Sequence, residues 1–225
     1  MTSPTPVIIW VDPGCPWCFQ TARWMRRLEA DGVVDLSWAF LPLEVHNSDD
    51  RRLDLDVHVR TVPAMRVALL VRDEHGQAAA GRFYEAIAGR QHHRDEQLKR
   101  PETMRTALLD VGLDEGLVAR ALDDPTTAER LEAEYRIVVD RVIGVPTLEL
   151  DAPGGPMIFG PVIAELPDGD AARDLWAHVE WLTRDDNVFE LKRVRDVLPD
   201  LEGIRLAQAR RSARAAGAVE GLAAS

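Results

Sequence analysis

The chain has 225 residues, and with 46% hydrophobic residues it can bury a proper core within one or two domains. Its formal net charge is −11, which argues against nucleic-acid binding, since such proteins present a basic face. No stretch approaches the ~20 consecutive apolar residues of a membrane span, so no contact with a membrane is expected.

The N-terminal residues and the cysteine count indicate a compartment. Residues 1–6 have neither the basic region nor the apolar core of a signal peptide, and an apolar run begins directly after them. The two cysteines, Cys15 and Cys18, are three residues apart, so a framework of structural disulfides is impossible. We therefore predict a cytoplasmic protein.

The first predicted elements are a strand, a helix and a second strand. The run from Val7 to Val11 is short, apolar and rich in β-branched residues, which predicts a central strand buried on both faces. A helix is predicted from Cys15 to Ala30, with Gly32 just past its end in the left-handed region. Alternating residues over 33–41 predict a second strand, which Pro42 ends. The apolar face of the helix is formed by Cys18, Thr21, Trp24, Met25 and Leu28.

The span from Asn47 to Arg60 supports two interpretations. Apolar and charged residues alternate with period 2 over 53–60, which favours a strand. The polar cluster over 47–50 that precedes them favours a loop. Both interpretations stay open.

A block of short helices follows, without any strand pattern. Helices are predicted over 61–74, 77–88 and 101–112, and a short fourth helix that contains Leu117, Val118, Ala121 and Leu122 is predicted before Pro125. Gly76 and Gly89 are expected to end the first two, Pro101 to open the third, and Asp114 to cap the fourth. A polar loop is expected over 90–95. We predict that residues 61–125 form an inserted helical subdomain.

The last third of the chain returns to mixed structure. The stretch 126–129 matches a capping box and predicts a helix that ends at Gly144. Strands over 145–150 and 157–159, joined by a Pro-Gly turn, predict a β-hairpin. A final helix is expected to run from a capping Asp170 to Thr183.

The element order is β-α-β, a helical insert, and α-β-β-α, and its first and third parts are the two halves of a thioredoxin fold. We predict an α/β protein with a thioredoxin-like domain over 1–60 and 126–198, the insert over 61–125, and a tail over 199–225 that is helical or disordered. Five tryptophans are expected in the core: Trp10, Trp24, Trp38, Trp176 and Trp181.

Cys15 and Cys18 form a Cys-x-x-Cys motif at a strand-to-helix junction, which is typical of thioredoxin-like redox chemistry. Unpaired N–H groups and the dipole at a helix start favour negative charge, so the pKa of Cys15 is expected in the ~3.5–7.5 range of such sites. Cys18 lies one turn further on the same face and points inward. We predict that Cys15 attacks and that Cys18 resolves the mixed disulfide. Pro16 suits the first turn, where no N–H is needed.

A zinc half-site is the alternative interpretation of the two cysteines. Zinc takes four ligands, and none of the six histidines lies at the usual ligand spacing from the cysteines. We therefore predict thiol chemistry and no metal site.

Val145-Pro146 is the second feature of the candidate site. A proline that begins a strand directly after a helix-ending glycine predicts a cis peptide bond, which is almost confined to proline. The alternative is a trans proline on an edge strand. In a thioredoxin-like fold, such a cis-proline loop lies against the active-site cysteines, blocks metal capture and offers backbone groups to a bound peptide or thiol.

Two groups of basic residues have two interpretations each. His92 and His93 either approach the site and tune a thiolate, or belong to a polar loop. Arg23, Arg26 and Arg27 either hold an acidic low-molecular-weight thiol, or form a solvated face near the end of the first helix.

The roles of two residues beside the cysteines also have two interpretations each. Trp17 is either a partly exposed platform beside Cys15 or a residue packed over the helix start. Asp12 either accepts a proton from the buried Cys18 or shapes the turn.

Five segments form a combination more specific than the cysteine motif alone. They are Asp12-Pro13-x-Cys15-Pro16-Trp17-Cys18, the helical insert, Gly144-Val145-Pro146-Thr147, Phe159-Gly160-Pro161-Val162 and Phe189-Glu190-Leu191-Lys192-Arg193. Over about residues 7–195 the chain resembles the cytoplasmic DsbA-like oxidoreductases of actinobacteria, and among them the mycothiol-dependent nitroreductase group most.

This resemblance implies a thioredoxin fold with a helical insertion and a cycle in which reduced Cys15 acts on the substrate. It also implies that mycothiol restores the dithiol as a co-substrate, without a bound cofactor. The residues expected to contact the substrate are Pro16, Trp17, Val145 and Pro146.

Three functions are compatible with these features. The first is a cytoplasmic thiol-disulfide oxidoreductase that acts on a small-molecule or protein disulfide or electrophile and is re-reduced by a low-molecular-weight thiol. The second is a transferase or isomerase similar to the kappa-class glutathione transferases, which have a serine at the nucleophile position; Cys15 and Cys18 argue against it. The third is a partner-binding module with the redox pair as a switch. No oligomeric state is predicted.

Overall fold

The central sheet consists of strands β1 (Thr5–Val11), β2 (Val34–Phe40), β3 (Thr147–Leu150) and β4 (Met157–Phe159). The computed structural model describes residues 3–48, 60–206, 208–210 and 212. In it the spatial order is β2-β1-β3-β4, with β1 parallel to β2 and antiparallel to β3, and β4 antiparallel to β3. The two predicted N-terminal strands and the predicted hairpin are confirmed.

The helices follow the predicted order, except that the four-residue α2 (Leu43–His46) was not predicted. Those from α3 to α6 occupy the segment for which the inserted subdomain is predicted, while the domain boundaries themselves stay a prediction. None of the described helices is both long and apolar enough to cross a membrane. The helices are α1 (Pro16–Ala30), α2 (Leu43–His46), α3 (Val62–His75), α4 (Gln77–Arg94), α5 (Pro101–Asp110), α6 (Leu117–Asp123), α7 (Thr126–Val138) and α8 (Gly169–Arg184).

Strand β1 delivers the chain to the cysteine motif. Ile9, Trp10 and Val11 are at most 5% exposed, so the end of the strand is covered on both faces, as predicted. Because β1 pairs with a neighbour on each side, its end is held firmly in the sheet. The chain leaves the strand at Asp12 and enters α1 four residues later.

Helix α1 buries its predicted apolar face completely. Five residues at helical spacing have no exposed surface: Cys18, Thr21, Trp24, Met25 and Leu28. The indole N–H of Trp24 also donates to the Ala172 carbonyl at 3.1 Å, which ties α1 to α8. Beyond the helix, Gly32 adopts the predicted left-handed conformation, with a φ of 71°.

Side chains from three helices cover the outer edge of β2. The backbone N–H groups of Trp38 and Phe40 donate to Gln77 Oε1 at 2.8 Å and to Glu134 Oε1 at 3.2 Å. The Trp38 carbonyl accepts from Arg72 at 3.0 Å, and Arg72 also makes a two-pronged ion pair with Glu134. This edge therefore presents satisfied groups instead of a template for another strand.

The predicted end of α4 is wrong. The helix does not stop at Gly89 but continues to Arg94, so the polar loop expected over 90–95 is mostly helical. Glycine lowers helix stability by only about 1 kcal/mol, and tertiary contacts outweigh that cost here. Arg90 pairs with Glu96 and Asp110, and His92 is buried.

The start of α7 differs from the prediction. The capping box does not form, because the Asp124 carboxylate accepts both the N–H and the hydroxyl of Thr126 and so already engages the residue that would cap. The helix ends at Val138, before the expected Gly144.

The start of α8 and one of its tryptophans also differ from the prediction. Asp168 is the N-cap, while Asp170 lies in the first turn and pairs with Arg173. Trp181 is 64% exposed, because it lies about 140° around the helix from the buried Trp176, at ~100° per residue. The other four tryptophans are buried as predicted.

Two predicted segments are covered only in part. Residues 49–59, where strand and loop were both open, lie outside the described residues. In the tail, residues 202–206 are helical and mostly exposed, but Leu201 is completely buried. The start of the tail is therefore packed against the body of the protein.

Candidate active site

Cys15 is the residue at which the turn after β1 passes into helix α1. Its N–H donates to the Asp12 carbonyl at 3.0 Å, and Cys15 is the N-cap of the helix. Its Sγ accepts the N–H of Cys18 at 3.4 Å. The sulfur therefore lies where a helix start stabilises negative charge. Pro16 is the first helical residue, where its missing N–H costs nothing.

The two thiols have opposite electrostatic surroundings. The pKa of Cys15 is lowered from its usual value, first by the hydrogen bond with the Cys18 side chain and further by backbone N–H groups, against the effect of burial. The pKa of the fully buried Cys18 is raised well above its usual value, mainly by desolvation. Cys15 is thus the thiol that ionises first.

The loop that precedes β3 faces the cysteines. The Val145–Pro146 bond is cis, as predicted, and the Val145 carbonyl accepts from the Cys15 thiol across 3.9 Å. The Pro146 carbonyl accepts the N–H of Gly160 at 2.8 Å, so the end of β4 supports this loop. Backbone groups 130 residues from Cys15 therefore form the opposite side of the site.

Two further hydrogen bonds join the segment that follows β4 to helix α1, which carries Cys18 and begins at Cys15. The Thr21 hydroxyl donates to the Pro161 carbonyl at 2.7 Å, and the Gln20 side chain donates to the Ala164 carbonyl at 2.6 Å. The helix that carries both cysteines and the loop that faces them are therefore held in one unit.

Asp12 is a buried carboxylate that joins three segments. Its Oδ1 accepts the Gly14 N–H at 2.7 Å, and its Oδ2 accepts the Leu43 N–H at 2.8 Å and the Thr61 hydroxyl at 3.2 Å. Burial raises its pKa to about 6 against these stabilising hydrogen bonds. These contacts favour the turn-shaping interpretation of Asp12.

The two histidines of α4 have different surroundings. His92 is 4% exposed, and its Nε2 lies 2.9 Å from the Pro13 carbonyl in the turn before Cys15. His93 is exposed. The first histidine thus reaches the active-site turn, although not from the polar loop that the sequence suggested.

A cleft of about 640 Å³ opens beside Cys15. Trp17 is half-buried on its wall, with the guanidinium of Arg195 5.7 Å from the centre of its ring. Most of the other described lining residues are polar or charged: Asp12, Glu44, Asn47, Arg60, Thr61, Gln91, Asp95, Glu96, Gln97 and Lys99. A polar ligand can therefore approach the sulfur of Cys15.

The arginines of α1 are engaged with groups of their own. Arg23 bonds Gln20 and lies 5.5 Å from the Phe19 ring centre, Arg26 pairs with Glu29, and Arg27 donates to the Pro167 carbonyl. None of the three lines the described part of the cleft. The solvated-face interpretation is the better supported one.

Sequence reasoning missed Thr61 and Leu43 as partners of Asp12, and left open whether His92 approaches the site. His92 had a detectable signal, because it continues the buried i, i+4 series of Ala80, Tyr84 and Ala88. The contacts of Thr61 and Leu43 with Asp12 had no such signal in the sequence.

Within the described ranges, no three His, Cys, Asp or Glu side chains are grouped so as to hold a metal ion.

Comparison with known proteins gives a family match over most of the chain. Residues 14–193 match the Rv2466c-like family, described as mycothiol-dependent nitroreductase Rv2466c. The protein Rv2286c of Mycobacterium tuberculosis is 34% identical over 193 residues, which cover 84% of this chain and 82% of that protein.

Solved structures show the fold. The 2-hydroxychromene-2-carboxylate isomerase is similar with a TM-score of 0.57 and 15% identity, over 80% of this chain and 96% of that one. The cytosolic disulfide reductase DsbM from Pseudomonas aeruginosa, solved with GSH, is similar with a TM-score of 0.54 and 16% identity, over 78% and 99%. The predicted thioredoxin fold of the DsbA-like type is therefore confirmed.

Proposed function

The chain belongs to the Rv2466c-like family of mycothiol-dependent nitroreductases, and from this premise we propose that it is a thiol-disulfide oxidoreductase re-reduced by mycothiol. The observation that carries the proposal is the pair of unequal thiols: Cys15 with a lowered pKa at the helix start, and Cys18 buried with a raised one. Such a pair separates an attacking sulfur from a resolving sulfur.

In the first step, the Cys15 thiolate attacks one sulfur of a substrate disulfide. A bond forms between Cys15 and that sulfur, and the other substrate sulfur leaves as a thiolate. The N–H of Cys18, 3.4 Å from Sγ of Cys15, and the helix dipole stabilise the attacking thiolate.

In the second step, Cys18 gives its proton to the departing thiolate and attacks Sγ of Cys15. The Cys15–Cys18 disulfide forms as the mixed disulfide breaks, so two electrons have passed to the substrate. Two molecules of mycothiol reverse this state. One opens the disulfide by bonding to Cys15, and the second attacks that mixed disulfide and leaves as mycothiol disulfide.

The cleft suits a polar thiol of this kind. Mycothiol carries sugar-type hydroxyl groups around its cysteine portion, and amide and carboxylate side chains are the usual partners of hydroxyl groups. Asn47, Gln91 and Gln97 offer amides on the walls beside Cys15, and the carboxylates of Asp95 and Glu96, which pair with Arg210 and Arg90, retain further acceptor positions. These side chains would orient the co-substrate with its sulfur toward Sγ.

Four residues around the sulfur are proposed to contact the substrate. Pro16 and Trp17 lie on the cleft wall, and the Val145 carbonyl, followed by Pro146, faces Cys15 from the other side. The substrate class is a small-molecule or protein disulfide or electrophile. The supply of a low-molecular-weight thiol and the lack of further cysteines for structural disulfides favour a cytoplasmic location.

A transferase or isomerase role is the less favoured alternative. The likeness to the isomerase structure shows the fold alone, and the present chain has two cysteines where a single nucleophile would suffice. If Cys15→Ser kept full turnover on a small electrophile, the alternative would replace the proposal.

The test is to trap the mixed disulfide. Purified Cys18→Ser protein is incubated with mycothiol disulfide and should carry one mycothiol per chain on Cys15, detected by intact mass. Cys15→Ser protein should carry none. Equal labelling of both variants, or of neither, would refute the assigned roles.

The electron donor is tested separately with the wild-type protein. Turnover of a model disulfide is compared with mycothiol, glutathione or reduced thioredoxin as the donor. Mycothiol should give the highest rate, and a higher rate with thioredoxin would overturn the choice of donor while leaving the cysteine roles intact.

A further inference from the structure

The peptide group between Pro13 and Gly14 is held at both of its polar ends. The Gly14 N–H donates to Oδ1 of Asp12 at 2.7 Å. The Pro13 carbonyl lies 2.9 Å from Nε2 of His92, and since a carbonyl only accepts, this contact places a proton on Nε2. Burial lowers the pKa of His92 to about 4, so the donor is a neutral ring at physiological pH.

This peptide group is the middle of the turn that ends at Cys15. The turn is closed by the hydrogen bond from the Cys15 N–H to the Asp12 carbonyl. Rotation of the central peptide would convert one turn type into another and change the backbone conformation entering Cys15. The position of Sγ relative to the first N–H groups of α1 therefore depends on this peptide being held.

His92 is itself held by packing. Its ring lies against the ring of Phe19, the residue after Cys18, with centroids 5.3 Å apart and planes at 30°. His92 is 4% exposed, so water competes little with the Pro13 carbonyl for the Nε2 proton. The neighbouring His93 contacts Phe19 by its edge and is exposed.

The C-terminal tail packs on the helix turn that carries His92. A Cβ added to Gly203 would lie 2.6 Å from the His92 carbonyl oxygen and 2.7 Å from that of Gln91, so the two backbones are in close contact. Leu201, two residues earlier, is completely buried, and Arg210 pairs with Asp95 at the end of α4. The tail thus covers the outer side of this turn.

We propose that His92 is a positioning residue of the redox site, which acts through the Pro13 carbonyl to hold Cys15 against the helix start, and that the tail at Gly203 braces it. This inference rests on the proposed role of Cys15 as the attacking thiol. It adds a contact from α4 and a brace from the C-terminal tail to the machinery of the Cys-x-x-Cys turn.

The test compares His92→Phe, which keeps the ring packing and removes the donor, with His92→Gln, which keeps an N–H donor. The readout is the rate of Cys15 alkylation by iodoacetamide as a function of pH. In His92→Phe the rate at neutral pH should fall about fivefold to tenfold, with the profile displaced to higher pH, as expected for the loss of one hydrogen bond. His92→Gln should recover most of the rate.

His93→Phe is the matched control, since it changes the adjacent histidine without touching Pro13. Its alkylation profile should match that of the wild type. Thermal unfolding of each variant establishes that it is folded. A folded His92→Phe protein with a wild-type profile would overturn the proposal, as would an equal effect of His93→Phe.

The same assay tests the tail. Gly203→Ala forces the tail away from the His92 carbonyl and should displace the profile in the same direction as His92→Phe. An unchanged profile in folded Gly203→Ala protein would refute the bracing role. Because alkylation reports the surroundings of Cys15 without any redox turnover, failure here is distinguishable from failure of the proposed function.

Discussion

The carbonyl of Val145 lies 3.9 Å from Sγ of Cys15, although 130 residues separate them in the chain. The contact places a hydrogen-bond acceptor against the sulfur, which also accepts the N–H of Cys18. The thiol proton is directed toward Val145, while the thiolate would instead rely on the Cys18 thiol and on the N–H groups of α1. The site thus forms only when β1 and β3, which are far apart in the chain, pair as neighbouring strands, because the end of β1 then lies beside the start of β3.

Two replacements of Cys18, both of which remove the resolving thiol, should show how far its hydrogen bond lowers the pKa of Cys15. The hydrogen bond from the Cys18 side chain is the largest cause of the lowered Cys15 pKa. Cys18→Ser keeps a donor, whereas Cys18→Ala removes it, so we expect the pH midpoint of Cys15 alkylation to be higher in Cys18→Ala. Coincident profiles for the two variants would contradict this origin of the pKa shift.

Asp12 should make the protein less stable as the pH rises. Its folded pKa of about 6 lies above the ~3.9 of an unfolded aspartate, so its contribution is complete below pH ~4 and is lost as the pH rises through 6. Two pKa units correspond to about 3 kcal/mol. We expect the unfolding free energy of the wild type, relative to Asp12→Asn, to fall by roughly that amount between pH 4 and pH 7.5.

The comparison with Asp12→Asn is needed because His92 titrates in the same range with the opposite sign. Its lowered folded pKa of about 4 gives stability above pH ~6.5 that is lost as the pH falls. This contribution is present in both proteins and cancels in the difference. A difference that does not change with pH, measured by urea unfolding, would rule out the raised Asp12 pKa.

Glu134 should matter far more for stability than its neighbour Glu132. Glu134 is 16% exposed, pairs with Arg72 through both oxygens and accepts the Phe40 N–H. Its removal takes from Arg72 its two-pronged partner and from the Phe40 N–H its acceptor, so Glu134→Ala should lower the unfolding free energy by about 2–3 kcal/mol.

Glu132→Ala is the control on the same helix. Among the described residues Glu132 pairs only with the exposed Arg136, one turn away, so its loss should cost less than ~0.5 kcal/mol. Equal effects of the two substitutions in urea unfolding would show that the contacts of Glu134 at the edge of β2 add no more stability than an exposed ion pair does.

Two glycines of α4 should respond oppositely to alanine. A Cβ at Gly81 would lie 2.5 Å from Nε1 of Trp38, which is buried and has little room to move. A Cβ at Gly89 would meet nothing closer than Phe19, at 3.7 Å. Gly81→Ala should therefore destabilise by about 1–2 kcal/mol, despite its gain in helix propensity.

Gly89→Ala should be neutral or stabilising by up to about 1 kcal/mol, because only the helix propensity changes. The shift in melting temperature of each variant measures the difference. A destabilised Gly89→Ala protein would show that the backbone at this position needs glycine for another reason.

Helix α4 shows where local patterns fail. Gly89 and the polar stretch over 90–95 predict a helix end and a loop, whereas the helix continues to Arg94. The ion pairs of Arg90 with Asp110 and Glu96 and the burial of His92 outweigh the low helix propensity of one glycine. The buried i, i+4 series that reaches His92 was the one local indication of this.

Local features of the sequence determined the redox motif, the helix start at Cys15, the central strand before it and the cis proline loop. Each depends on neighbouring residues: an apolar run, a proline at a helix start, or a proline after a glycine. Only the tertiary structure decided what surrounds them. Two of the three described partners of Asp12 lie 31 and 49 residues away, and His92 lies 79 residues from Pro13. No local pattern specifies such contacts, because they arise from the way in which separate helices pack against one turn.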